Sequence, residues 1–134
     1  MPTPLDSTRC QFTKVRTDIP VRYKFFSKSI DLQNDTVYEG TTSRLSANGL
    51  LLVGKIPSLS WIPGLLVGKI VIGVNVLLPN VAVPIKALTR VAWIEAIPEG
   101  SERCTMGLTF TDIAKEHQDE ILKFMIRSQI TPHK

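Results

Sequence analysis

The chain contains few cysteines and histidines, and this scarcity argues against several kinds of site. It has two cysteines, Cys10 and Cys104, and two histidines, His117 and His133. The cysteines are far apart and form no CxxC pair, so the sequence does not predict a structural zinc site, and nothing in it demands a disulfide bridge. The histidines stand in a charged segment and in a polar tail, where we expect solvated side chains.

The chain also lacks an apolar run long enough to cross a membrane. The longest uncharged stretch, IVIGVNVLLPNVAVPI at residues 70–85, contains proline and glycine and is shorter than the roughly 20 residues of a spanning helix. The opening MPTPLDSTRC does not have the basic-then-apolar pattern of a secretory signal. The sequence therefore predicts no membrane span and a cytoplasmic location.

Catalytic motifs are absent as well. The sequence has neither a GxxxxGK[ST] phosphate loop nor a GxGxxG dinucleotide fingerprint, and it has no nucleophile elbow. Its acidic residues are scattered, with Glu95 in a predicted strand, Glu99 and Glu102 in a predicted turn, and four near the end, Asp112, Glu116, Asp119 and Glu120. We therefore expect a protein that is not an enzyme.

The composition is that of one ordinary globular domain. The chain has 134 residues, of which 43% are hydrophobic and 21% charged, and it is long enough to bury a core. Its formal net charge is +4. A mild positive charge suits an anionic ligand, an acidic partner or nucleic acid, and equally a neutral binder with a solvated surface.

Six stretches have the pattern of short strands separated by turn signals. They contain IPVRYKFFSKS, TVYEGTTSRLS, GLLLV, KIVIGVNVLLP, VPIKALTRVAWIEAI and RCTMGLTFTDI. The fourth is the clearest, since its apolar residues alternate along one face: Ile70, Ile72, Val74, Val76 and Leu78. Such a series predicts a mostly β protein, a six-stranded antiparallel β-barrel at residues 18–113.

An arm and a helix are predicted at the two ends of this barrel. Residues 1–17 are polar and basic and read as an extended N-terminal arm. Residues 114–129 predict a C-terminal α-helix, with either Thr111 or Asp112 capping its start. Its apolar stripe, expected to cover an end or face of the barrel, consists of Ile121, Leu122, Phe124, Met125 and Ile126.

One connection is longer and more apolar than a hairpin needs. The sequence LLVGKI occurs at residues 51–56 and again at 65–70, on either side of PSLSWIPG. Two copies are too few for a repeat architecture, and we attribute them to chance. The enclosed segment, which contains Trp61, is either a loop folded over the barrel or an exposed patch that binds a partner.

The order of these parts resembles the PilZ domain, the bacterial receptor module for the second messenger cyclic di-GMP. The resemblance extends from about residue 9 to residue 129 and is carried by IPVRYKF, SANGLLL, RVAWIEAI and GLTFTDI. It implies a PilZ-like β-barrel that binds cyclic di-GMP and transmits its level to a partner protein controlling motility, pili, biofilm or polysaccharide.

The resemblance also implies a two-part ligand site, RxxxR in the arm and [DN]xSxxG in the turn after the second strand. Arginine pairs with phosphate, stacks on purines or contacts guanine through two hydrogen bonds. Aligning Phe12 with the aromatic residue of the arm motif places Cys10 and Lys14 at the two arginine positions. In the turn Arg44 stands at the acidic position. The implied ligand-binding set is Arg9, Lys14, Arg16, Arg44, Ser46, Asn48 and Gly49.

These departures from the motifs weaken the implied site. Lysine lacks the planar fork of arginine, and Arg44 has no hydrogen-bond acceptor. Losing a two-bond contact to a base costs about 1–3 kcal/mol. Asn48 is a candidate replacement acceptor, Arg44 a candidate phosphate contact, and Arg9 a candidate substitute from the arm.

The resemblance and the altered motifs leave three functions to consider. The first, favoured by the family's function, is a cyclic di-GMP receptor with an altered site whose arm orders on binding. The second is a degenerate PilZ-fold adaptor that binds no nucleotide and uses the Trp61 segment for protein contacts. The third, a nucleic-acid binder, is not expected, because it needs aromatic platforms, whereas Tyr23, Phe25 and Tyr38 suit a core.

Overall fold

The backbone forms a closed antiparallel barrel of six strands. The computed structural model describes residues 13–27, 36–79, 81–96 and 103–130. The strands are β1 (Thr13–Ser27), β2 (Tyr38–Leu45), β3 (Gly49–Lys55), β4 (Ile70–Val76), β5 (Ile85–Ala96) and β6 (Arg103–Ile113). Their order around the barrel is β1-β2-β3-β6-β5-β4. The predicted mostly β, six-stranded antiparallel barrel is confirmed, and β1 begins at Thr13, within the predicted arm.

Two three-stranded meanders make up this barrel. Strands β1, β2 and β3 are consecutive neighbours, as are β4, β5 and β6, so each meander pairs strands that are close in sequence. The meanders are joined by two non-local pairings, which we call the first seam, β1 with β4, and the second seam, β3 with β6. Each seam is antiparallel, so the closed barrel has no free strand edge.

The core lies inside the barrel and follows the alternation predicted for β4. The five residues of that predicted face are at most 4% exposed: Ile70, Ile72, Val74, Val76 and Leu78. Tyr23 and Phe25 of β1 are also buried, and Tyr38 packs against them with its ring 5.6 Å from each of theirs. The prediction that these aromatic residues belong to the core is confirmed for Tyr23 and Phe25, and Tyr38 is partly buried against that core.

Tyr23 connects β1 to the far end of β3 through the barrel interior. Its hydroxyl donates a hydrogen bond to the Lys55 carbonyl oxygen at 2.7 Å and accepts one from the Lys55 amide at 2.6 Å. Burial raises the pKa of the phenol from 10.0 to about 12. The protonated phenol is therefore part of the packed core.

The connection between β3 and β4 contains helical structure that the sequence analysis did not predict. A 3₁₀ turn, Leu59–Trp61, is followed by the helix α1, Ile62–Leu66. Leu65 is fully buried, and the Trp61 ring lies 5.2 Å from that of Phe25 in an edge-to-face arrangement. Trp61 therefore helps to cover the barrel, the first of the two predicted alternatives, while Leu59 remains 62% exposed.

The C-terminal helix α2 spans Lys115–Ile130, and only part of its predicted apolar stripe is buried. Ile121 is buried, and Phe124 and Met125 pack against the core. The prediction was wrong for Leu122 and Ile126, which are exposed because α2 touches the barrel along one narrow line.

The start of α2 also differs from expectation. The predicted caps Thr111 and Asp112 lie in β6, where the Thr111 hydroxyl donates to the Leu88 carbonyl oxygen. His117, expected to be solvated, is half-buried, and its Nδ1 accepts a hydrogen bond from the Lys86 amide at 3.1 Å. Neither helix in the described part of the chain has the length and apolar character needed to span a bilayer.

Candidate functional site

The turn between β2 and β3 is held in shape by the Ser46 side chain. The hydroxyl oxygen of Ser46 accepts hydrogen bonds from the Asn48 and Gly49 amides, each at 3.1 Å, and donates to the Gly49 carbonyl oxygen at 3.3 Å. A hydroxyl offers one donor and two acceptor sites, and the turn uses all three. Ser46 is therefore explained by the shape of the turn alone.

Gly49 is required by the close approach of the second seam. A Cβ at this position would collide with the carbonyl oxygen of Leu108 in β6. Backbone cannot give way as a flexible side chain does, so no larger residue fits without moving β3 away from β6. Like Ser46, Gly49 has a structural role that needs no ligand.

Two further hydrogen bonds attach the turn to other parts of the molecule. The Asn48 carbonyl oxygen accepts from the Phe110 amide of β6 at 2.8 Å. The Ala47 carbonyl oxygen accepts from the Gln118 side-chain amide of α2 at 2.9 Å. The turn is thus tied both to the barrel and to the C-terminal helix.

Arg44 lies just before this turn, after an irregularity in β2. The buried Thr42 hydroxyl donates to the Arg44 carbonyl oxygen at 2.7 Å and accepts from the Arg44 amide at 3.3 Å. These bonds coincide with a register shift between Thr41 and Arg44 in the β2–β3 pairing. Arg44 itself is half-buried on the outer side of β2.

The register places the two basic candidate positions of the arm and the turn side by side. Lys14 of β1 lies directly opposite Arg44 of β2. Neighbouring positions in an antiparallel pair are about 4.5–5.5 Å apart, so these two backbone positions are adjacent in the sheet. This juxtaposition joins the two halves of the predicted site.

Continuing around the barrel, the same outer row crosses the second seam and reaches an aromatic residue. Arg44 is paired with Leu51, Leu51 with Gly107, and Gly107 with Trp93 of β5. The indole of Trp93 covers Gly107 closely enough that a Cβ there would collide with it, yet the side chain is 43% exposed. We call the row formed by Lys14, Arg44, Leu51, Gly107 and Trp93 the seam face.

Trp93 was not among the binding residues predicted from the sequence. Its only local signal is a tryptophan beside acidic and basic residues in RVAWIEAI. Its place on the seam face depends on pairing with Gly107 after a register shift between Val91 and Trp93. Because that pairing depends on how β5 and β6 shift against each other, the alternation within β5 gave no basis for it.

The other predicted site residues are placed unevenly. Lys14 and Arg16 lie in β1, whereas Arg9 falls outside the described residues. Asn48 is exposed at the tip of the turn. The structure thus brings Lys14, Arg44, Ser46, Asn48 and Gly49 to one end of β2 and β3.

The remaining reactive groups do not form a site. Cys104 is a buried free cysteine, and burial raises the pKa of its thiol, which lowers its reactivity. Cys10 and His133 lie outside the described residues. Within residues 13–27, 36–79, 81–96 and 103–130, no three histidine, cysteine or acidic side chains are grouped so as to hold a metal ion.

Comparison with known sequences identifies one family. The family model described as the PilZ domain matches residues 9–127. A search of curated protein sequences found no match.

Comparison with solved structures finds the same fold in several proteins, among them the following three. The Bacillus subtilis inhibitor of motility (MotI/DgrA) shares 20% identity at a TM-score of 0.64, over 92% of this chain and 53% of that one. MrkH from K. pneumonia shares 16% identity at a TM-score of 0.64, over 88% of this chain and 47% of that one. The PilZ domain of YcgR from Escherichia coli, solved with c-di-GMP, shares 6% identity at a TM-score of 0.57 over 88% of both chains. The chain spans about half the length of the first two, and at these identities the likeness concerns the fold.

Proposed function

The chain belongs to the PilZ domain family, and on this premise we propose that it is a cytoplasmic, non-enzymatic receptor that binds cyclic di-GMP on the seam face and passes the signal to a partner protein. The observation that carries the proposal is the pairing of Lys14 with Arg44 beside the Ser46–Gly49 turn. Two cations on one patch suit a ligand with two phosphates, and the register joins the two altered motifs.

In this proposal each residue has a role that its chemistry allows. Arg44 contacts a phosphate, since a guanidinium offers donors in a fork and no acceptor for guanine N–H groups. Asn48, exposed at the turn, supplies the amide oxygen that Arg44 cannot. The exposed indole of Trp93 offers an aromatic surface on which a base can stack.

Isothermal titration calorimetry with cyclic di-GMP tests this assignment. We expect binding by the wild-type chain and at least about tenfold weaker binding by Arg44→Ala, because a hydrogen bond to a charged group contributes about 1.5–3 kcal/mol. Arg22→Ala is the matched control, since Arg22 is an exposed arginine on β1 whose partner on β4 is Asn75, away from the seam face. Equal losses in both variants would contradict the seam face as the site.

A second candidate function is an adaptor that has kept the fold and no longer binds nucleotide. The full use of the Ser46 hydroxyl within the turn favours it, because that residue persists for reasons of shape. The variant Cys10→Arg/Lys14→Arg/Arg44→Asp, which restores both family motifs, separates the two functions. Binding by the restored variant and none by the wild type would identify an adaptor, whereas silence from both would remove the seam face as a nucleotide site.

A further inference from the structure

A second concave surface lies across the first seam, and the proposed nucleotide site does not use it. It is an open groove of about 470 Å³, lined by residues of β1, β4, β5 and the end of β6 together with Val37. This volume is within the usual range of about 300–1,000 Å³ for binding sites. The groove shares no residue with the seam face.

The floor of this groove presents apolar side chains to solvent. The ring of Phe26 lies over Gly73, where a Cβ would be 2.8 Å from Cε2 of the ring. Phe26 is 44% exposed, Val37 56% and Leu88 37%. Three large hydrophobic side chains exposed in one concave surface are typical of a surface that binds something.

The groove is also basic. Arg22, Asn75 and Lys86 form one row across β1, β4 and β5. Lys24 begins the next row, and its ammonium nitrogen lies 5.5 Å from the centre of the Phe26 ring. The groove therefore contains three cations against one carboxylate, that of Asp112.

Two of these cations, Arg22 and Lys86, are exposed to an incoming acid. The ion pairs of Lys115 with Asp119 and of Lys123 with Glu120 both lie on α2. The exposed side chains of Arg22 and Lys86 take part in neither. Phenylalanine and arginine, which lie together in this concavity, are both enriched at protein interfaces.

We propose that this groove docks an acidic peptide segment of a partner protein, one that carries a bulky apolar side chain between its carboxylates. The apolar side chain packs on Phe26 and Leu88, and the carboxylates face Arg22 and Lys86. Asp112 disfavours a carboxylate at its end of the groove, which gives the docked segment a direction. The proposal identifies the chemistry of the partner and does not depend on nucleotide binding.

Selection from a phage-displayed library of random 12-residue peptides on the full chain tests this docking site. The same chain carrying Arg22→Glu and Lys86→Glu serves for counter-selection. We expect enrichment of peptides that combine several aspartates or glutamates with one leucine, isoleucine or aromatic residue. Enrichment of neutral or basic peptides, or of none that distinguishes the two proteins, would overturn the proposal.

Fluorescence anisotropy with one enriched, labelled peptide then measures the contribution of each group. Lys86→Glu should weaken peptide binding at least about tenfold, with a larger loss at low salt. Phe26→Ala should weaken it by about the same factor at every salt concentration. Lys69→Glu, the same charge change at an exposed lysine outside the groove, should leave binding within about twofold.

Two controls keep the result specific. Competition by tripolyphosphate as effective as that of unlabelled peptide would show that the groove binds small polyanions and would contradict a peptide site. Calorimetry of Lys86→Glu with cyclic di-GMP separates the peptide site from the proposed nucleotide site. If this variant loses peptide binding and keeps nucleotide binding, the loss is assigned to the groove alone.

Discussion

The two seams of the barrel are built alike and yet present different surfaces. Each joins the meanders at a glycine covered by an aromatic ring, Gly107 under Trp93 in the second seam and Gly73 under Phe26 in the first. In the second seam the adjacent turn is held by backbone contacts and by Ser46. The first seam opens into the basic groove, where the exposed side chains of Phe26 and Leu88 form part of the surface. Surfaces fixed by the backbone keep their shape when side chains change, whereas surfaces made by side chains change with them.

The largest effect is expected where backbone meets backbone in the second seam. Gly49→Ala should lower the free energy of unfolding by roughly 3 kcal/mol or more, because the new methyl group meets the Leu108 carbonyl oxygen and must separate β3 from β6. Urea denaturation followed by circular dichroism measures this change. A loss below about 1 kcal/mol would show that the second seam accommodates an added methyl group as easily as we expect the first seam to do.

A smaller effect is expected in the interior between the two seams, at high pH. Folding holds the pKa of Tyr23 at about 12 against an ordinary 10.0. The protonated phenol therefore stabilises the folded state fully below pH 10, and this stabilisation is lost as the pH rises from 10 towards 12. The free energy of unfolding should fall by about 1.4 kcal/mol by pH 11 and by roughly 2–3 kcal/mol when the loss is complete.

Urea denaturation between pH 8 and pH 11 measures this loss, with Tyr23→Phe as the control. The variant has no phenol to ionise, so the fall of its stability with pH should be shallower by the contribution of Tyr23. Other groups, including Cys104, titrate in both proteins and cancel in the difference. Parallel curves for the two proteins would contradict the raised pKa of Tyr23.

The smallest effects are expected at the two covered glycines, and they compare the seams directly. Gly107→Ala should cost about 1–2 kcal/mol and displace the Trp93 indole, which red-shifts its fluorescence. Gly73→Ala should cost under about 1 kcal/mol, since the exposed Phe26 ring can rotate and alanine suits a strand better than glycine. Equal costs would show that the two rings are held equally firmly.

Local patterns in the sequence predicted most of the fold. The alternation from Ile70 to Leu78 fixes which face of β4 is buried because a strand has a period of two, and this needs no knowledge of its neighbours. Helix α1 was missed because it is short, contains proline and glycine, and is stabilised by burying Leu65 rather than by its own propensity. Leu122 was wrongly predicted to be buried because the sequence shows the apolar stripe of α2 but not the width of the barrel surface on which the helix packs.

The candidate site was predictable only in its local part. The motif from Ser46 to Gly49 was visible because a turn is set by a few adjacent residues. The pairing of Lys14 with Arg44 depends on register shifts in β1 and β2, and that of Gly107 with Trp93 on another in β5. Such shifts arise from how neighbouring strands pair and pack, which the periodicity of a single strand does not encode.

The two seams also set the point during synthesis at which the barrel can close. Val21 pairs with Val76, 55 positions later (76 − 21), and Leu51 with Gly107, 56 positions later (107 − 51). A ribosome therefore releases the first meander with both outer strands unpaired, and such edges invite association with other chains. Neither the seam face nor the groove exists until β6 has emerged, so a nascent chain offers these two proposed binding surfaces only when the barrel can close.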